Sequence, residues 1–363
     1  MRSWSRSVFP GGSDIENHDV LVVGAGPAGA AAAFFLSYLS EGKLDVLSLE
    51  KLEERYDRYH HMCGEAMSER AFERLSPLMP EAVTFKIRRA VEHWPGDVTI
   101  ETEAQGYVLD RPAFLRRLRK RAAKEGCHLE QGTAVSVTKE GNGYLVRTRE
   151  GNEHRCKWLV GADGWNSLVR RTLFTGGPRL LWAEQYVLET KTENDTMHFH
   201  YDERYRGGYR WVFPHTRGSR VGFTRGTEPR PLALERHVRA IPYDYREVVK
   251  GNACLVGDAG GQANPITFGG IGIGMSAARN MAGSLVKGSL SGYAHNWPRS
   301  PCVSPLYVDA FDALRGMDNA ALRRSVRPFV KGYGRAAALR AAVSDRESRR
   351  LYRAYYLAAK WGW

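Results

Sequence analysis

A glycine-rich segment near the amino terminus restricts the fold more than any other part of this sequence. Positions 24–29 read Gly-Ala-Gly-Pro-Ala-Gly, after the apolar run Val20–Val23 and before an alanine-rich stretch. Gly24 allows a tight turn, Gly26 lets the backbone approach a pyrophosphate, and Gly29 brings helix and strand together. The pattern predicts a strand, a turn and a helix whose amino terminus faces a dinucleotide. An ordinary strand-to-helix turn is the alternative.

A second apolar run, Leu44–Leu49, ends at Glu50. Dinucleotide-binding units carry an acidic residue about 20 residues beyond the glycines, and it accepts hydrogen bonds from a ribose. The spacing of Glu50 therefore favours a dinucleotide site over an ordinary turn. This first motif is compatible with either NAD or FAD.

Two later motifs separate FAD from NAD. Gly-Ala-Asp-Gly at 161–164 and Gly-Asp-Ala-Gly at 257–260 each close an apolar strand. Together with the first glycine motif, their order and spacing resemble the flavoprotein group that includes aromatic hydroxylases and geranylgeranyl reductases. The resemblance covers roughly residues 18–286 and implies FAD as the cofactor.

Three further segments are similar to signatures of one branch of that group, the geranylgeranyl reductases. They are His-Met-Cys-Gly-Glu at 61–65, Tyr-Val-Leu-Asp-Arg at 107–111 and Tyr-Arg-Trp-Val-Phe-Pro at 209–214. The chain departs from the branch at Ala66 and at Phe268, each of which stands where the reductases have a glycine. These departures concern the substrate rather than flavin binding.

The resemblance implies roles for the residues that contact FAD. In the group, the later Gly-Asp motif places its carboxylate on the ribityl chain, and the helix after it points its positive end at the flavin pyrimidine. Asp258 and the turn at 269–272 take these places here, and Arg111 lies close to the FAD. Asp163 supports the pyrophosphate region, or caps a helix that begins near Asn166. The predicted FAD contacts are Gly24, Gly26, Pro27, Ala28, Gly29, Glu50, Lys51, Cys63, Gly64, Arg111, Ala162, Asp163, Gly164, Gly257, Asp258, Gly269, Gly270 and Ile271.

An aromatic strand and a cysteine are the predicted substrate and catalytic elements. Alternation along a strand puts Tyr209, Trp211 and Phe213 on one face, where they would form a wall beside the flavin. The alternative for these rings is a strand that faces the core, and the alternative for Cys63 is a small buried hydrophobic residue. The predicted catalytic residues are Cys63, Tyr209 and Trp211, and the predicted substrate contacts are Tyr209, Trp211, Phe213, Pro214 and Phe268.

The apolar runs predict an α/β protein with a Rossmann-type FAD-binding domain, an antiparallel-sheet substrate domain and a helical carboxyl terminus. Runs rich in Tyr, Phe, Val and Thr between 182 and 225 indicate the antiparallel sheet. Tyr107–Leu109 is expected to be a short strand of the first domain. The chain is expected to return to that domain with a strand at Ala253–Val256 and a helix over 272–286. The predicted boundaries are 18–72, 106–175 and 248–290 for the FAD-binding domain, 73–105 and 176–247 for the substrate domain, and 291–363 for a basic carboxyl-terminal region.

Charge limits the range of partners. Lys and Arg number 53 against 40 Asp and Glu, a formal net charge of +13, and much of the excess lies between Arg315 and Lys360. Such a basic surface can rest on anionic lipid, dock an acidic partner such as a ferredoxin, or be merely solvated. A nucleic-acid binder is disfavoured, because no DNA- or RNA-binding signature accompanies the charge.

Cysteine content and hydropathy indicate the cellular setting. Five cysteines without a CxxC pair or a zinc-type spacing predict a reducing, cytoplasmic setting and no metal site. No stretch predicts a signal peptide or a membrane span. A peripheral position on a membrane surface is compatible with the basic carboxyl terminus, and whether Cys63 pairs with Cys302 is left open.

The sequence thus predicts an FAD-dependent oxidoreductase. It would saturate isolated C=C bonds of a geranylgeranyl or other isoprenoid chain, in a lipid precursor or prenyl diphosphate, by hydride transfer from reduced flavin. The alternative is an FAD-dependent monooxygenase that hydroxylates an apolar or aromatic substrate. NAD(P)H or a ferredoxin is the expected electron donor. The sequence does not fix the prenyl substrate, the number of bonds reduced, the proton donor or the oligomeric state.

Overall fold

The computed structural model describes residues 15–51 and 63–361 of the chain. Positions 61 and 62 of the His-Met-Cys-Gly-Glu segment and positions 362 and 363 of the carboxyl-terminal region lie outside the described residues. The strands are β1 (Glu16–Val23), β2 (Val46–Glu50), β3 (Ala66–Ser68), β4 (Val83–Trp94), β5 (Val98–Leu109), β6 (His128–Gln131), β7 (Ala134–Glu140), β8 (Gly143–Thr148), β9 (Glu153–Gly161), β10 (Arg179–Leu188), β11 (Thr196–His200), β12 (Arg210–His215), β13 (Gly218–Thr224), β14 (Glu235–Tyr243), β15 (Val249–Lys250) and β16 (Ala253–Leu255). The helices are α1 (Pro27–Leu39), α2 (Glu69–Arg74), α3 (Arg111–Lys124), α4 (Leu168–Leu173), α5 (Ile271–Leu285), α6 (Ser291–Asn296), α7 (Pro305–Arg315), α8 (Asn319–Val326), α9 (Arg335–Ala342) and α10 (Arg346–Trp361).

A mainly parallel sheet carries the first glycine-rich turn. Its strand order is β15-β16-β9-β1-β2-β6, with the β7–β8 hairpin joined to β9 through β8. β1 lies between β2 and β9 and runs parallel to both, as a dinucleotide-binding unit requires. The predicted strand at Val20–Val23, the helix after it and the end of the second strand at Glu50 are confirmed. The turns after β1, β9 and β16 meet at one edge of this sheet, because parallel strands end at the same side.

The alanine-rich helix α1 is buried on nearly all sides, since it lies between this sheet and α5. Its residues 28–37 are all buried, and Val20, Val22 and Val160 of the sheet belong to the same core. Small side chains let the two helices and the sheet approach closely. The polyalanine run therefore reflects packing on both sides of the helix rather than a surface helix.

A second sheet, with the order β14-β10-β13-β12-β11-β4-β5-β3, confirms the antiparallel sheet predicted between 182 and 225. Tyr107–Leu109, expected as a short strand of the first domain, is instead the end of the twelve-residue strand β5. β3, also placed in the first domain from sequence, pairs with β5 in the second sheet. Polar and small residues such as Thr102, Ala104 and Gly106 weaken the apolar alternation of β5, so its length was not evident.

The carboxyl-terminal helices divide between the two cores. Tyr293 in α6 and Trp297 after it join the core of the first sheet, whereas α7 to α10 pack on the second sheet. The last helix buries Leu351, Ala354 and Tyr355 against that sheet and exposes arginines on its other side. Within the described ranges, no helix combines the length and the apolar character needed to cross a bilayer.

Glu92 is a buried carboxylate between the second sheet and these helices. It accepts hydrogen bonds from Trp94 Nε1 at 2.9 Å and from the Tyr333 hydroxyl at 2.9 and 3.0 Å. Burial raises the pKa of Glu92 to about 7, although both hydrogen bonds act in the opposite direction. The folded protein therefore holds a proton that the unfolded chain releases at lower pH.

This difference predicts a pH-dependent effect of Glu92→Gln. Between pH 4.5, the ordinary pKa, and about 7, only the folded state keeps the proton, so the free energy of unfolding falls as pH rises and stays low above 7. A glutamine keeps polar partners and cannot ionise. Urea denaturation should show the variant gaining about 3 kcal/mol relative to the parent between pH 5 and pH 8. Glu69→Gln, at a less buried carboxylate that bonds Tyr107, is the control and should show no such gain.

Candidate active site

A cavity of about 560 Å³ lies between the two sheets. The turns after β1, β9 and β16 form one side of it, and residues of β10, β11, β12 and β14 form the other. Ligand pockets commonly have volumes of about 300 to 1,000 Å³. The cavity therefore has the size of a ligand site, and it lies where parallel sheets bind nucleotides.

Most residues predicted from sequence to contact FAD or substrate line this cavity; Gly29 and Pro214 do not. A Cβ on Gly29 would lie 1.8 Å from Gly24 O, so this glycine lets α1 pack beneath the turn. Pro214 follows Phe213 on β12 and therefore faces the opposite side of the sheet. The predicted residues that line the cavity are Gly24, Gly26, Pro27, Ala28, Glu50, Lys51, Cys63, Gly64, Arg111, Ala162, Asp163, Gly164, Tyr209, Trp211, Phe213, Gly257, Asp258, Phe268, Gly269, Gly270 and Ile271.

The first turn presents the amino terminus of α1 to the cavity. Gly24 has φ +95°, and a Cβ there would lie 2.6 Å from Ala162 O, so only glycine fits. Gly26 caps α1 without a side-chain hydrogen bond, and the first turn contains no acidic residue. Glu50 Oε2 accepts a hydrogen bond from Ala25 N at 2.8 Å and fixes the turn to the end of β2. The helix terminus can therefore bind an anion such as a pyrophosphate.

A second helix begins at the same cavity. Gly270 caps α5, again without a side-chain hydrogen bond and without an acidic residue in the first turn. Asp258 lines the cavity nearby, in the short 3₁₀ turn Gly257–Gly260. Burial raises the pKa of Asp258, and the charges of Arg239 and Arg111 partly offset this. The cavity thus combines two positive helix ends with a carboxylate that can accept hydrogen bonds from hydroxyl groups.

Asp163 organises the turn after β9. Its carboxylate accepts hydrogen bonds from Leu168 N at 2.6 Å, Val169 N at 3.2 Å and the Ser167 hydroxyl at 2.5 Å. Burial raises the pKa of Asp163, while these bonds lower it. The capping role considered from sequence is therefore present, although α4 begins at Leu168 rather than near Asn166.

Arg170 connects two of the motifs and was not recognised from sequence. Its guanidinium donates to Ala259 O at 2.9 Å and to Trp165 O at 2.7 Å. These carbonyls belong to the turns that follow β16 and β9. Nothing in the local sequence indicates that these two carbonyls lie next to Arg170.

Aromatic rings line the side of the cavity formed by the second sheet. Tyr209, Trp211 and Phe213 lie on one face, as the alternation predicts, and Phe199 packs edge-on against Tyr209 and Phe213 at 5.4 and 5.5 Å between centroids. Phe268 stacks on Tyr209 with centroids 4.5 Å apart. This wall is suited to an extended apolar molecule.

The Cys63-Gly64-Glu65 segment is held by a buried ion pair that sequence did not reveal. Arg220 Nη2 lies 2.8 Å from Glu65 Oε2, and both side chains are 3% exposed. Arg220 Nη1 also donates to Gly64 O at 3.3 Å, and Glu65 N donates to Cys63 Sγ at 3.1 Å. Arg220 on β13 therefore positions this segment against the cavity, where the ring of Phe213 covers Gly64.

Two polar groups on the aromatic side have no hydrogen-bond partner among the described residues. They are the side-chain amide of Gln185 and the indole nitrogen of Trp211, both on residues that line the cavity. Gln185 and Trp211 both oppose Gly222 in the sheet register, and the indole lies across that glycine. Buried polar groups without partners are costly, so this spot is suited to a polar atom of a ligand.

The cysteines form no disulfide. All five are free thiols, including Cys63 at the cavity and Cys302 in the core of the first domain. A pair between these two cysteines is therefore not present.

The fold and the cavity define an FAD-dependent oxidoreductase. FAD fits the site, because the uncapped amino end of α1 can hold its pyrophosphate, the uncapped amino end of α5 faces the same cavity, and Glu50 and Asp258 are placed to accept hydrogen bonds from its hydroxyl groups. A family model described as an FAD binding domain matches residues 17–180. Digeranylgeranylglycerophospholipid reductase 1 of Methanopyrus kandleri is 31% identical over 306 residues, which cover 72% of this chain and 78% of that protein. The chain belongs to the geranylgeranyl reductase family.

Solved structures share the fold. A geranylgeranyl bacteriochlorophyll reductase-like protein from Thermoplasma acidophilum matches with a TM-score of 0.79 and 21% identity, covering 92% of this chain and 98% of that one. PqsL, a probable FAD-dependent monooxygenase from Pseudomonas aeruginosa, matches with a TM-score of 0.63 and 17% identity, covering 85% and 99% of the two chains. The architecture is therefore common to reductases and monooxygenases, and the fold alone does not choose the reaction.

Proposed function

We propose that the protein saturates isolated C=C bonds of a geranylgeranyl or related isoprenoid chain carried by a lipid precursor. The observation that carries this proposal is the aromatic wall, which faces the FAD-binding turns across one cavity. An isoprenoid chain needs an apolar surface of this kind, and the reductase name of the relative from Methanopyrus kandleri agrees with it. Bound FAD, once reduced, would supply the hydride.

The protein's own contribution is positioning and the exclusion of water, because an isolated alkene has no carbonyl for an oxyanion hole to stabilise. Tyr209, Trp211, Phe213 and Phe268 would hold the chain, and the polar spot at Gln185 and Trp211 Nε1 would bind a polar atom of the substrate. The alkene takes up a hydride on one carbon and a proton on the other.

Tyr209 and Cys63 are the proposed proton donors at this wall. The Tyr209 hydroxyl donates to Thr267 O at 2.5 Å, and burial raises the pKa of Tyr209 well above its usual range, so proton transfer from it needs a strongly basic acceptor such as a developing carbanion. Cys63 Sγ lies at the same cavity. Trp211 is proposed to act through positioning of the substrate.

An anaerobic single-turnover experiment tests the function. The flavin-loaded protein is reduced with dithionite and mixed with a geranylgeranyl lipid, while flavin absorbance and product mass are followed. We expect reoxidation without oxygen and a mass gain of two hydrogen atoms per bond, and no reoxidation with the fully saturated lipid. Reoxidation only after air is admitted, with a hydroxylated product, would instead establish the monooxygenase alternative. The same apparatus identifies the donor, by comparing the flavin reduction rates with NADH, NADPH and reduced ferredoxin.

Peripheral contact with an anionic membrane is proposed for the surface formed by α9 and α10. Arg349 and Arg353 are exposed on α10, while Leu339 in α9 and Val343 just after it are 73% and 88% exposed. Arg349 Nη1 donates to Ser344 O at 2.5 Å, which places its cation next to Val343. Cations beside exposed apolar side chains are suited to a lipid surface.

Sedimentation with vesicles that contain anionic lipid tests this surface. Arg349→Glu/Arg353→Glu should weaken binding at low salt, because each cation near such a surface contributes about 1 kcal/mol. Arg117→Glu/Lys120→Glu, an equal change of charge at exposed positions of α3, is the control. Equal binding by both variants would show that the surface is merely solvated.

A further inference from the structure

Two histidines and a glutamate meet at the end of the first sheet that is opposite to the flavin cavity. Glu16 and His18 lie at the start of β1, and His154 lies at the start of β9, directly opposite Glu16 in the parallel register. Potential ligand atoms of the three side chains all lie within 4.8 Å of one another. Along β1, His18 is six residues from Gly24, roughly 20 Å at the rise of a strand. This cluster is therefore separate from the FAD site.

The buried ring of His154 makes carboxylate contacts but no hydrogen bond within the described residues. It is 1% exposed, and within the described residues neither ring nitrogen makes a hydrogen bond, although Nδ1 and Nε2 lie 3.6 and 3.3 Å from carboxylate oxygens of Glu16 and Glu130. His18 Nε2 is also buried without a hydrogen bond. Buried nitrogens without hydrogen bonds cost free energy in a dry interior. A metal ion that accepts their lone pairs would therefore stabilise the fold.

The distances from Glu16 to the two rings are close to those between ligands of a tetrahedral metal ion. Glu16 Oε2 lies 3.6 Å from His18 Nε2 and 3.6 Å from His154 Nδ1. Ligand atoms bound to zinc at 2.0 to 2.2 Å are separated by about 3.4 Å in a tetrahedral site. With the third distance also within 4.8 Å, side-chain rotations would bring all three atoms onto one ion. Glu16 is 61% exposed, which leaves the fourth position open to water.

In each of the two histidines, the ring nitrogen that does not face Glu16 lies near another carboxylate. His18 Nδ1 lies 3.0 Å from Asp45 Oδ2 in a hydrogen bond, and His154 Nε2 lies 3.3 Å from Glu130 Oε1. Histidine ligands of metal ions commonly carry such a carboxylate on the other ring nitrogen, which fixes the tautomer and increases the basicity of the ligand.

We propose that Glu16, His18 and His154 bind a divalent transition-metal ion of the Zn²⁺ class. Imidazole and carboxylate ligands are those that Zn²⁺ accepts, and two histidines with one carboxylate leave a position for water. The ion would join β1 to β9 at the amino end of the sheet. Its role is structural, because it lies far from the reacting bond. This site contradicts the expectation of no metal site, which rested on cysteine spacing, because its histidines His18 and His154 lie 136 residues apart in sequence.

Metal content and thermal midpoint test this proposal on the flavin-loaded protein. After treatment with EDTA and equilibration with ZnCl₂, the parent should retain one zinc per chain by elemental analysis, and its midpoint should rise on zinc addition. Glu16→Gln should weaken zinc binding at least about tenfold and lose the rise. This change is at an exposed side chain, so the variant is expected to fold, and His154→Gln provides a second, buried test.

Two other histidine changes are the matched controls. His128→Gln alters an exposed histidine that lies 3.7 Å from Asp45, and His200→Gln alters the separate stacked histidine group of the second sheet. Both variants should keep the zinc. A parent that retains no zinc, or a Glu16→Gln variant that binds zinc as tightly as the parent, would overturn the proposal. Neither result would bear on alkene reduction, which is measured separately.

Discussion

Replacing Arg220 by methionine is expected to lower the free energy of unfolding by about 3 kcal/mol, because it removes the arginine from a buried ion pair. Glu65 would lose its 2.8 Å contact in a place where both side chains are 3% exposed. The Cys63-Gly64-Glu65 segment would also lose the contact between Arg220 and Gly64 O. We therefore expect reductase activity to fall more than flavin content does. Urea denaturation and single-turnover reoxidation measure the two effects.

The matched control for stability is Arg155→Met. Arg155 Nε lies 3.0 Å from Glu140, but the two side chains are 44% and 35% exposed. Loss of this pair should change the free energy of unfolding by no more than about 0.5 kcal/mol. Arg220→Lys keeps the charge without the two-pronged contact and should be intermediate in activity. Equal effects of Arg220→Met and Arg155→Met would contradict the role assigned to the buried pair.

Replacing Phe268 by glycine is expected to change chain-length selectivity by about tenfold or more, in favour of longer or bulkier prenyl chains. The Phe268 ring occupies the cavity and stacks on Tyr209. Its removal enlarges the apolar wall, and changes in apolar pockets alter discrimination by about 10- to 200-fold per methylene group. The measurement is kcat/KM for farnesyl and geranylgeranyl substrates, compared between parent and variant.

Phe268→Ala separates the effect of removing the ring from the effect of relieving the backbone. Phe268 has φ +55°, a left-handed conformation that glycine adopts freely and other residues adopt at a cost of about 1 to 2 kcal/mol. Both variants remove the ring, but only glycine relieves the backbone. We expect Phe268→Gly to be the more stable of the two by about 1 kcal/mol, with similar selectivity. Unchanged selectivity in both would show that the substrate does not reach this ring.

Local signals made much of the FAD-binding half predictable. The turn at 24–29 needs glycine for reasons that apply to a few adjacent residues, and the strand and helix on either side of it are equally local. The second sheet was predictable as a class, from its aromatic and β-branched residues. The extent of β5 was not, because small and polar residues interrupt its alternation.

Contacts between distant segments explain what the sequence did not reveal. Nothing in the sequence around Arg220 marks a buried charge, and only the folded sheet places it against Glu65, 155 residues earlier. Gln185 becomes significant only because the indole of Trp211 crosses Gly222 beside it. Similarly, nothing near His154 in sequence marks it as a neighbour of Glu16. Each of these three contacts depends on the register of paired strands, and the periodicity of a single sequence does not specify that register.

The strand order of the first sheet has a consequence for biosynthesis. β1 needs β9 as a neighbour, and β9 in turn needs β16, which emerges from the ribosome only after more than two thirds of the chain. Much of the second sheet lies between these segments in sequence, and its core is completed later still, by α7 to α10. Non-local pairing of this kind is slow, and exposed strand edges are prone to aggregation in the meantime. We therefore expect FAD to bind late in the folding of a newly synthesised chain. When riboflavin is scarce, the first effect should be a lower yield of folded enzyme.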